Sequence, residues 1–203
     1  MCGRYSLQVE LETLLDAYGI AETSFSWEPA QEIFPTNQVP VVIKREPKRM
    51  GLLPWGFPLS NTKKPVINAR IETLQQKPLF KKPFLQNRCL LPANGFFEWK
   101  QEESQRIKYF INTVNMELFS MAGLYQAFKT SDNNLDWRVV IITASSRGRI
   151  SEIHPRMPLL VSSSWEDKWL DPDYSDLDKL QNFLQEDLTR WCEQELQAQP
   201  LLS

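Results

Sequence analysis

The sequence predicts an α+β fold: a single domain around an antiparallel, barrel-like β-sheet with peripheral helices. Three observations carry this expectation. Strand-like segments are many and helical ones few, no βαβ rhythm links them, and no GxGxxG or GxxxxGK[ST] loop is present. Glycine is scarce, seven residues in 203 against a usual share of roughly 7%, so the nucleotide-binding folds are disfavoured from the outset. The apolar fraction is 42% and the charged fraction 24%. That balance excludes wholesale disorder, and a chain of this length can bury a core without staples.

The elements follow in order. Ser6, then Val9, Leu11, Leu14, Leu15 and Tyr18 before Gly19, predict a capped amphipathic helix with a glycine stop. Residues 22–37 are turn-rich and aromatic. Residues 39–44, 50–57 and 65–69 have strand character, and a short helix or turn around Lys81-Lys82-Pro83 follows. Strands are expected at 88–91 and 95–100 with a Pro92-Ala93-Asn94-Gly95 turn between them, and again at 107–113, 118–128, 137–144 and 158–161. Leu177, Leu180, Phe183, Leu184, Leu188 and Trp191 keep helical spacing, so the acidic segment 171–203 is expected to be a surface helix docked by one stripe. No repeat or internal boundary interrupts 1–203.

Net charge is −2 but unevenly spread. From Glu166 onward ten acids face three bases, whereas between Val39 and Lys100 twelve bases face three acids. A basic body suggests an anionic partner, although Lys44, Arg45, Lys48 and Arg49 read as solvated loop residues. Cys2, Cys89 and Cys192 are odd in number and far apart, as free thiols in a reducing cytoplasm would be. With no CxxC-type pair, neither a metal site nor a cofactor is expected. No apolar run approaches a membrane span, and residues 1–5 lack a secretion signal.

Four positions could carry chemistry. Removal of Met1 would leave Cys2 with an α-amine and a thiol on one carbon. Such an amine, with a pKa near about 7.7–8.0, attacks an aldehyde to give a Schiff base, and the thiol can then close a thiazolidine ring. The plain alternative is an incidental residue in a frayed terminus. His154, the only histidine, lies between strands beside Pro155 and Pro158; it is the one side chain that titrates unaided near neutrality, unless it is merely structural. Strand alternation puts Phe96, Glu98 and Lys100 on one face and Phe97 and Trp99 on the other. Burial among aromatics would raise Glu98 into the range of a proton donor, whereas exposure would leave a Glu98–Lys100 surface pair. In Asn68-Ala69-Arg70-Ile71-Glu72-Thr73, Asn68 could orient a nucleophile and Arg70 take a phosphate, or Arg70 and Glu72 could pair in a capped turn.

Met1-Cys2-Gly3-Arg4-Tyr5, Trp55-Gly56, Ile67-Asn68-Ala69-Arg70 with Glu72-Thr73, Arg88-Cys89, Phe96-Phe97-Glu98-Trp99, Met121-Ala122-Gly123-Leu124 and Ile153-His154 with Arg156-Met157-Pro158 together resemble the SOS response-associated peptidase (SRAP) family, with motifs in family order over 1–170. The resemblance implies a protein that binds single-stranded DNA and traps the aldehyde of abasic sites as a thiazolidine. It makes Cys2 the nucleophile, Asn68 the holder of its amine and ring, Glu98 the proton shuttle and His154 the assistant in Schiff-base chemistry and reversal. Arg4, Arg70 and Arg156 match phosphate-binding positions, and Trp99 matches an aromatic packing on base or sugar. The peptidase step would be the removal of Met1. A monomer with no membrane partner is expected.

Three stretches depart from the family pattern. Glu32 to Asn37 replaces an Asn-x-x-Pro segment, Phe57 and Leu59 stand where tryptophans often form a wedge, and Pro155 replaces an Asp beside His154. Two competing functions are a non-covalent single-strand binding module and a cysteine peptidase using Cys2 or Cys89 with His154 and Asn68. Cys89, mid-strand, reads as a small core residue.

Overall fold

Sheet pairing, more than helix packing, organises this chain. The computed structural model describes residues 2–59, 62–103, 105–114, 116–174 and 176–201; Met1 and its removal, and Ser60 and Asn61 after Leu59, lie outside the described residues. The first half contains β1 (Arg4–Leu7), α1 (Leu11–Tyr18), β2 (Ala30–Ile33), β3 (Gln38–Ile43), β4 (Arg49–Pro54), β5 (Phe57–Leu59), β6 (Thr62–Val66) and β7 (Asn68–Arg70). A 3-10 turn (Ile71–Thr73) leads to α2 (Pro78–Gln86), β8 (Arg88–Ala93), β9 (Gly95–Glu102) and β10 (Gln105–Thr113). Then come β11 (Phe119–Lys129), β12 (Leu135–Ser145), α3 (Gly148–Ser151), β13 (Arg156–Pro158) and β14 (Leu160–Val161). The chain ends with α4 (Ser163–Leu170), α5 (Leu177–Arg190), a π-helical turn (Trp191–Glu195) and β15 (Leu196–Leu201).

Among the described residues one sheet runs β15-β10-β9-β1-β2. A larger sheet runs β13-β12-β11-β8-β3-β4, with β14 beside β11 and β7 beside β12, and β5 with β6 forms a separate hairpin. Strand neighbours are antiparallel except β7 and β12. The α+β class with antiparallel sheets is as the sequence predicts; the sheets stay open and do not close into a barrel.

Local expectations differ from the structure in instructive places. Ser6 caps no helix: it lies in β1 opposite Gly95, and α1 begins later, with Glu10 at its N-cap making no side-chain bond. Gly19 does stop α1, in the left-handed conformation at φ 64°. Residues 22–37 contain β2, because Ile33 pairs with Tyr5 of β1. The long strand at 50–57 breaks at Trp55-Gly56, where Gly56 takes φ 126° and a Cβ would sit 2.8 Å from Pro65. The strand at 65–69 splits at Ile67, whose carbonyl receives the Trp55 indole N–H at 2.9 Å.

The turn expected at Pro92-Ala93-Asn94-Gly95 is instead a crossing between sheets, β8 belonging to one and β9 to the other. Asn94 donates its N–H to the Ser6 carbonyl at 3.0 Å and accepts the Gln8 N–H on its side chain at 3.1 Å, so β9 is drawn onto β1. Segment 171–203 is helical only in part. Leu177, Leu180, Leu184 and Leu188 form the buried stripe of α5, but the chain then returns as β15 to pair with β10. The alternation of Leu196, Ala198 and Pro200 opposite Thr113, Ile111 and Tyr109 explains that edge strand.

The buried residues form one cluster that includes Tyr5, Trp55, Phe57, Phe84, Phe96 and Trp169. Arg88 is buried with it. Its guanidinium donates to the carbonyls of Trp169 at 2.6 Å and Phe84 at 2.8 Å and to that of Asp171, tying β8 to α2 and the end of α4. Burial lowers its pKa to about 10. The loop lysines expected to be solvated meet acids of the C-terminal third, Lys44 with Asp171 at 3.0 Å and Lys48 with Asp167 at 2.6 Å. Among the described residues no helix is long and apolar enough to cross a membrane.

Candidate functional site

Four elements converge on Cys2. Register places Arg4 opposite Phe97 and Tyr5 opposite Phe96, so the residue ahead of β1 arrives beside the middle of β9. There Cys2 is fully buried, its thiol 3.7 Å from the Arg4 carbonyl. Asn68, first residue of β7, donates its side-chain N–H to the Cys2 carbonyl at 2.8 Å. Strand β7 lies parallel to β12, with Asn68 opposite Ile141, which fixes where that amide points.

Glu98 completes the inner wall. It is 3% exposed, and burial pushes its carboxyl up to about 7. The alternation expected for β9 holds, and the alternative Glu98–Lys100 surface pair does not form: Lys100 pairs with Glu102 at 2.9 Å. The His154 Nδ1 lies 3.7 Å from Glu98 Oε1. Burial lowers the His154 pKa from its ordinary value. Pro155 takes one sequence-local carboxylate away from His154, and β9 supplies Glu98 from a distant part of the chain. The histidine is held from behind, its N–H donating to the Ile150 carbonyl at 3.1 Å while Ser146 donates its hydroxyl to the His154 carbonyl.

These groups displace one another's titration. Burial and then the Glu98 charge push the Cys2 thiol far above the ordinary thiol value, so it rests as S–H. Burial and the proximity of Cys2 likewise raise the Tyr5 phenol. Tyr5 stacks edge-on against Trp55 at 5.5 Å, which explains why a tryptophan-glycine break belongs near this site. Cys89 and Cys192 are buried free thiols elsewhere. Among the described residues no group of three or more His, Cys, Asp or Glu side chains could hold a metal ion.

The outer face of β9 is different. Trp99 lies opposite Lys108 of β10. The Arg4 guanidinium sits over the rings of Phe34 at 4.6 Å and Trp99 at 5.1 Å, and Lys108 over Phe97 at 4.3 Å and Trp99 at 5.8 Å. Glu32 binds both cations, Arg4 at 3.1 Å and Lys108 more closely. Burial works against its charge, but the hydrogen bonds from Lys108 and Arg4 hold Glu32 below the usual carboxylate value. Asn37 caps its own turn, accepting the Phe34 N–H at 2.8 Å. Phe57 is a core residue packed on Phe128 at 5.1 Å, whereas Leu59 is 40% exposed.

Of the three arginines, Arg70 is exposed and Arg156 is engaged. Arg156 makes a two-pronged contact with Glu72, Nη1 to Oε1 at 2.7 Å and Nη2 to Oε2 at 3.1 Å, and donates to the Thr143 carbonyl at 2.6 Å. Against the effect of burial, the bonds from Arg156 keep Glu72 below its usual pKa. The alternative Arg70–Glu72 pair gives way to this one, because a tertiary partner with two donors outcompetes a neighbour in sequence. Lys108, Phe34 and Glu72 are absent from the sequence-based site. Lys108 is set opposite Trp99 by the antiparallel register of β9 and β10.

Comparison with known proteins follows the same lines. The family model described as SOS response associated peptidase (SRAP) matches residues 1–201. The abasic site processing protein YoqW of Bacillus subtilis (strain 168) is 34% identical over 194 residues, covering 91% of this chain and 87% of its own length. The abasic site processing protein YedK of Escherichia coli (strain K12) is 28% identical over 184 residues, covering 86% and 82%. A crystal structure of a protein from Bacteroides thetaiotaomicron superimposes with a TM-score of 0.82 at 21% identity, over 100% of this chain and 93% of that one. That likeness shows the shared fold.

Proposed function

The chain belongs to the SOS response associated peptidase family, and we propose that it senses abasic sites in single-stranded DNA and traps them covalently through Cys2. The observation that carries this function is one buried cysteine with an amide on its carbonyl and, beside it, a carboxyl raised to about 7 that stands 3.7 Å from the only histidine. The naming of several relatives as abasic site processing proteins supports it.

The chemistry balances without an oxidant or cofactor. With Met1 removed, which is the step we assign to the peptidase in the family name, the Cys2 amine adds to the aldehyde of the ring-opened sugar. Protonated Glu98 gives its proton to the departing hydroxyl, water leaves and the imine forms. Glu98 is now a carboxylate beside a thiol that burial keeps as S–H, and it can take that proton. Sulfur bonds to the carbon of the protonated imine, the C=N electron pair returns to nitrogen, which keeps its hydrogen, and the five-membered ring closes. A carboxyl poised near neutrality can serve in both directions, which neither an ordinary glutamate nor a fully neutral one could do. Asn68 holds the Cys2 carbonyl and so orients the amine on the same carbon. His154 returns a proton when the ring reopens. Arg4 and Arg70 would track phosphates, and Trp99 would pack on base or sugar.

The test is a single-stranded oligonucleotide bearing one abasic site, incubated with protein whose intact mass shows Met1 absent, then run on a denaturing gel. A heat-stable adduct without borohydride is expected. Cys2→Ser should abolish it while retaining most single-strand affinity. Wild-type yields of heat-stable adduct from Cys2→Ser would refute the thiazolidine, and strong binding without any adduct would leave a non-covalent binding module.

A further inference from the structure

The ring of His154 meets an unusual partner. The Arg156 N–H donates to His154 Nδ1 at 3.1 Å, and the Arg156 carbonyl oxygen lies 2.8 Å from the same nitrogen. A bare Nδ1 accepts the N–H; a protonated Nδ1 donates to the carbonyl. One residue therefore serves both protonation states, and the ring need not turn between them. For a group that must take and return a proton, the position of the Arg156 backbone then decides where the imidazole stands.

That backbone has two supports. β13, three residues long from Arg156 to Pro158, pairs with β12, Arg156 standing opposite Ser145 at the end of the ladder. The Arg156 side chain is the second: both terminal nitrogens bind Glu72, one also reaches the Thr143 carbonyl and the other the Ser145 hydroxyl at 3.2 Å. Glu72 sits in the 3-10 turn directly after β7, the strand that carries Asn68. One short segment thus holds Asn68 on Cys2 at one end and Arg156 at the other.

We infer that Glu72 is a positioning residue, its clamp on Arg156 fixing the His154 ring beside Glu98. This role rests on the proposed abasic-site chemistry for its consequence, but not for its detection. Because His154 is the only histidine, imidazole nitrogen resonances of the whole chain report on it alone.

The experiment uses ¹⁵N-labelled wild type, Glu72→Gln, Glu72→Asp and Arg156→Lys. In wild type at about pH 8 the clamped neutral ring should show one dominant tautomer, with distinct shifts for its two nitrogens. Glu72→Gln should move both ring nitrogens toward averaged shifts as the tautomers mix. It should slow adduct release on the order of tenfold, the scale expected of a small misplacement, while affinity for undamaged single-stranded DNA holds or rises. Glu72→Asp, which keeps the charge, should restore the tautomer and most of the rate. The Glu72 side chain is 42% exposed, so the fold should survive the change. Arg156→Lys, which loses the two-pronged contact, must give the same ring signature. Unchanged ring shifts in Glu72→Gln, or tighter DNA binding with an unchanged ring, would overturn the role and leave Glu72 merely shielding a phosphate-binding arginine. Should wild type form no adduct at all, the abasic-site function falls while the ring signals still decide the clamp.

Discussion

The two faces of β9 handle charge in opposite ways. On the inner face Glu98 is buried beside Cys2 and His154, and desolvation moves all three from their ordinary titration. On the outer face Arg4 and Lys108 stay partly exposed, share Glu32 and lie over aromatic rings. Successive residues of one strand, Glu98 and Trp99, belong to the two regions. The difference separates two tasks. Proton transfer needs a carboxyl whose charged and neutral forms are nearly equal in free energy, which burial provides. Holding a polyanion needs cations that remain charged and reachable, and aromatic surface to stack on, which only a wetter face can present.

The largest expected effect falls on the inner face. Glu98→Gln should slow single-turnover adduct formation by about 10²- to 10⁴-fold, the usual contribution of a general acid–base group, with little change in DNA affinity. Titration of the Cys2 amine is common to both proteins and cancels in their ratio. The ratio should therefore be greatest below about 7, where Glu98 is protonated, and shrink about tenfold per pH unit above it. The sign for stability is consistent. The folded protein holds the Glu98 proton more tightly than the unfolded chain, so wild type should lose thermal stability relative to Glu98→Gln as pH rises from about 5 to 8. A rate ratio independent of pH would mean that burial tunes nothing and that the two faces differ only in location.

How much of this was legible in the sequence depends on whether the partner was local. The alternation that turns Glu98 inward and Trp99 outward is a local property of an extended strand, and so is the left-handed stop at Gly19. The conjunction of Cys2, Asn68, Glu98 and His154 could be listed by residue type, but their meeting depends on β1 pairing with β9 and β7 with β12, which spacing cannot supply. Failures share that cause. For Glu72 the sequence offers only its neighbour Arg70 as an alternative partner, whereas the better donor comes from residue 156, and residues 196–201 read as helix although their partner is β10.

A smaller effect is expected on the outer face. Trp99→Ala should weaken binding to undamaged single strands by about 1–3 kcal/mol, roughly 5- to 150-fold, the range for one base stacked on an aromatic ring. It also removes the surface under Arg4 and Lys108. At saturating DNA the rate of adduct formation should be unchanged, as single-turnover gels against protein concentration would reveal. A fall in the saturated rate would show that this face takes part in the chemistry and would break the division between the two.

The finest distinction lies among the arginines. Arg70 is exposed, and it acts on Glu72 only through space, whereas Arg156 already has a carboxylate on both terminal nitrogens. For Arg156 to bind a phosphate it must leave Glu72 unpaired beside a second anion, so the exchange gains little. Arg70 gives up no such partner. Each phosphate contact with a single strand contributes roughly 0.7 to the slope of log affinity against log salt. Arg70→Ala should therefore lower affinity across sequences and flatten that slope by about 0.7, while Arg156→Ala leaves the slope nearly where it was. Fluorescence anisotropy of an undamaged oligonucleotide over a salt series measures both. Equal flattening by the two variants would mean that DNA displaces Glu72 and that Arg156 belongs to the recognition face after all. A slope untouched by Arg70→Ala would take Arg70 off the DNA path.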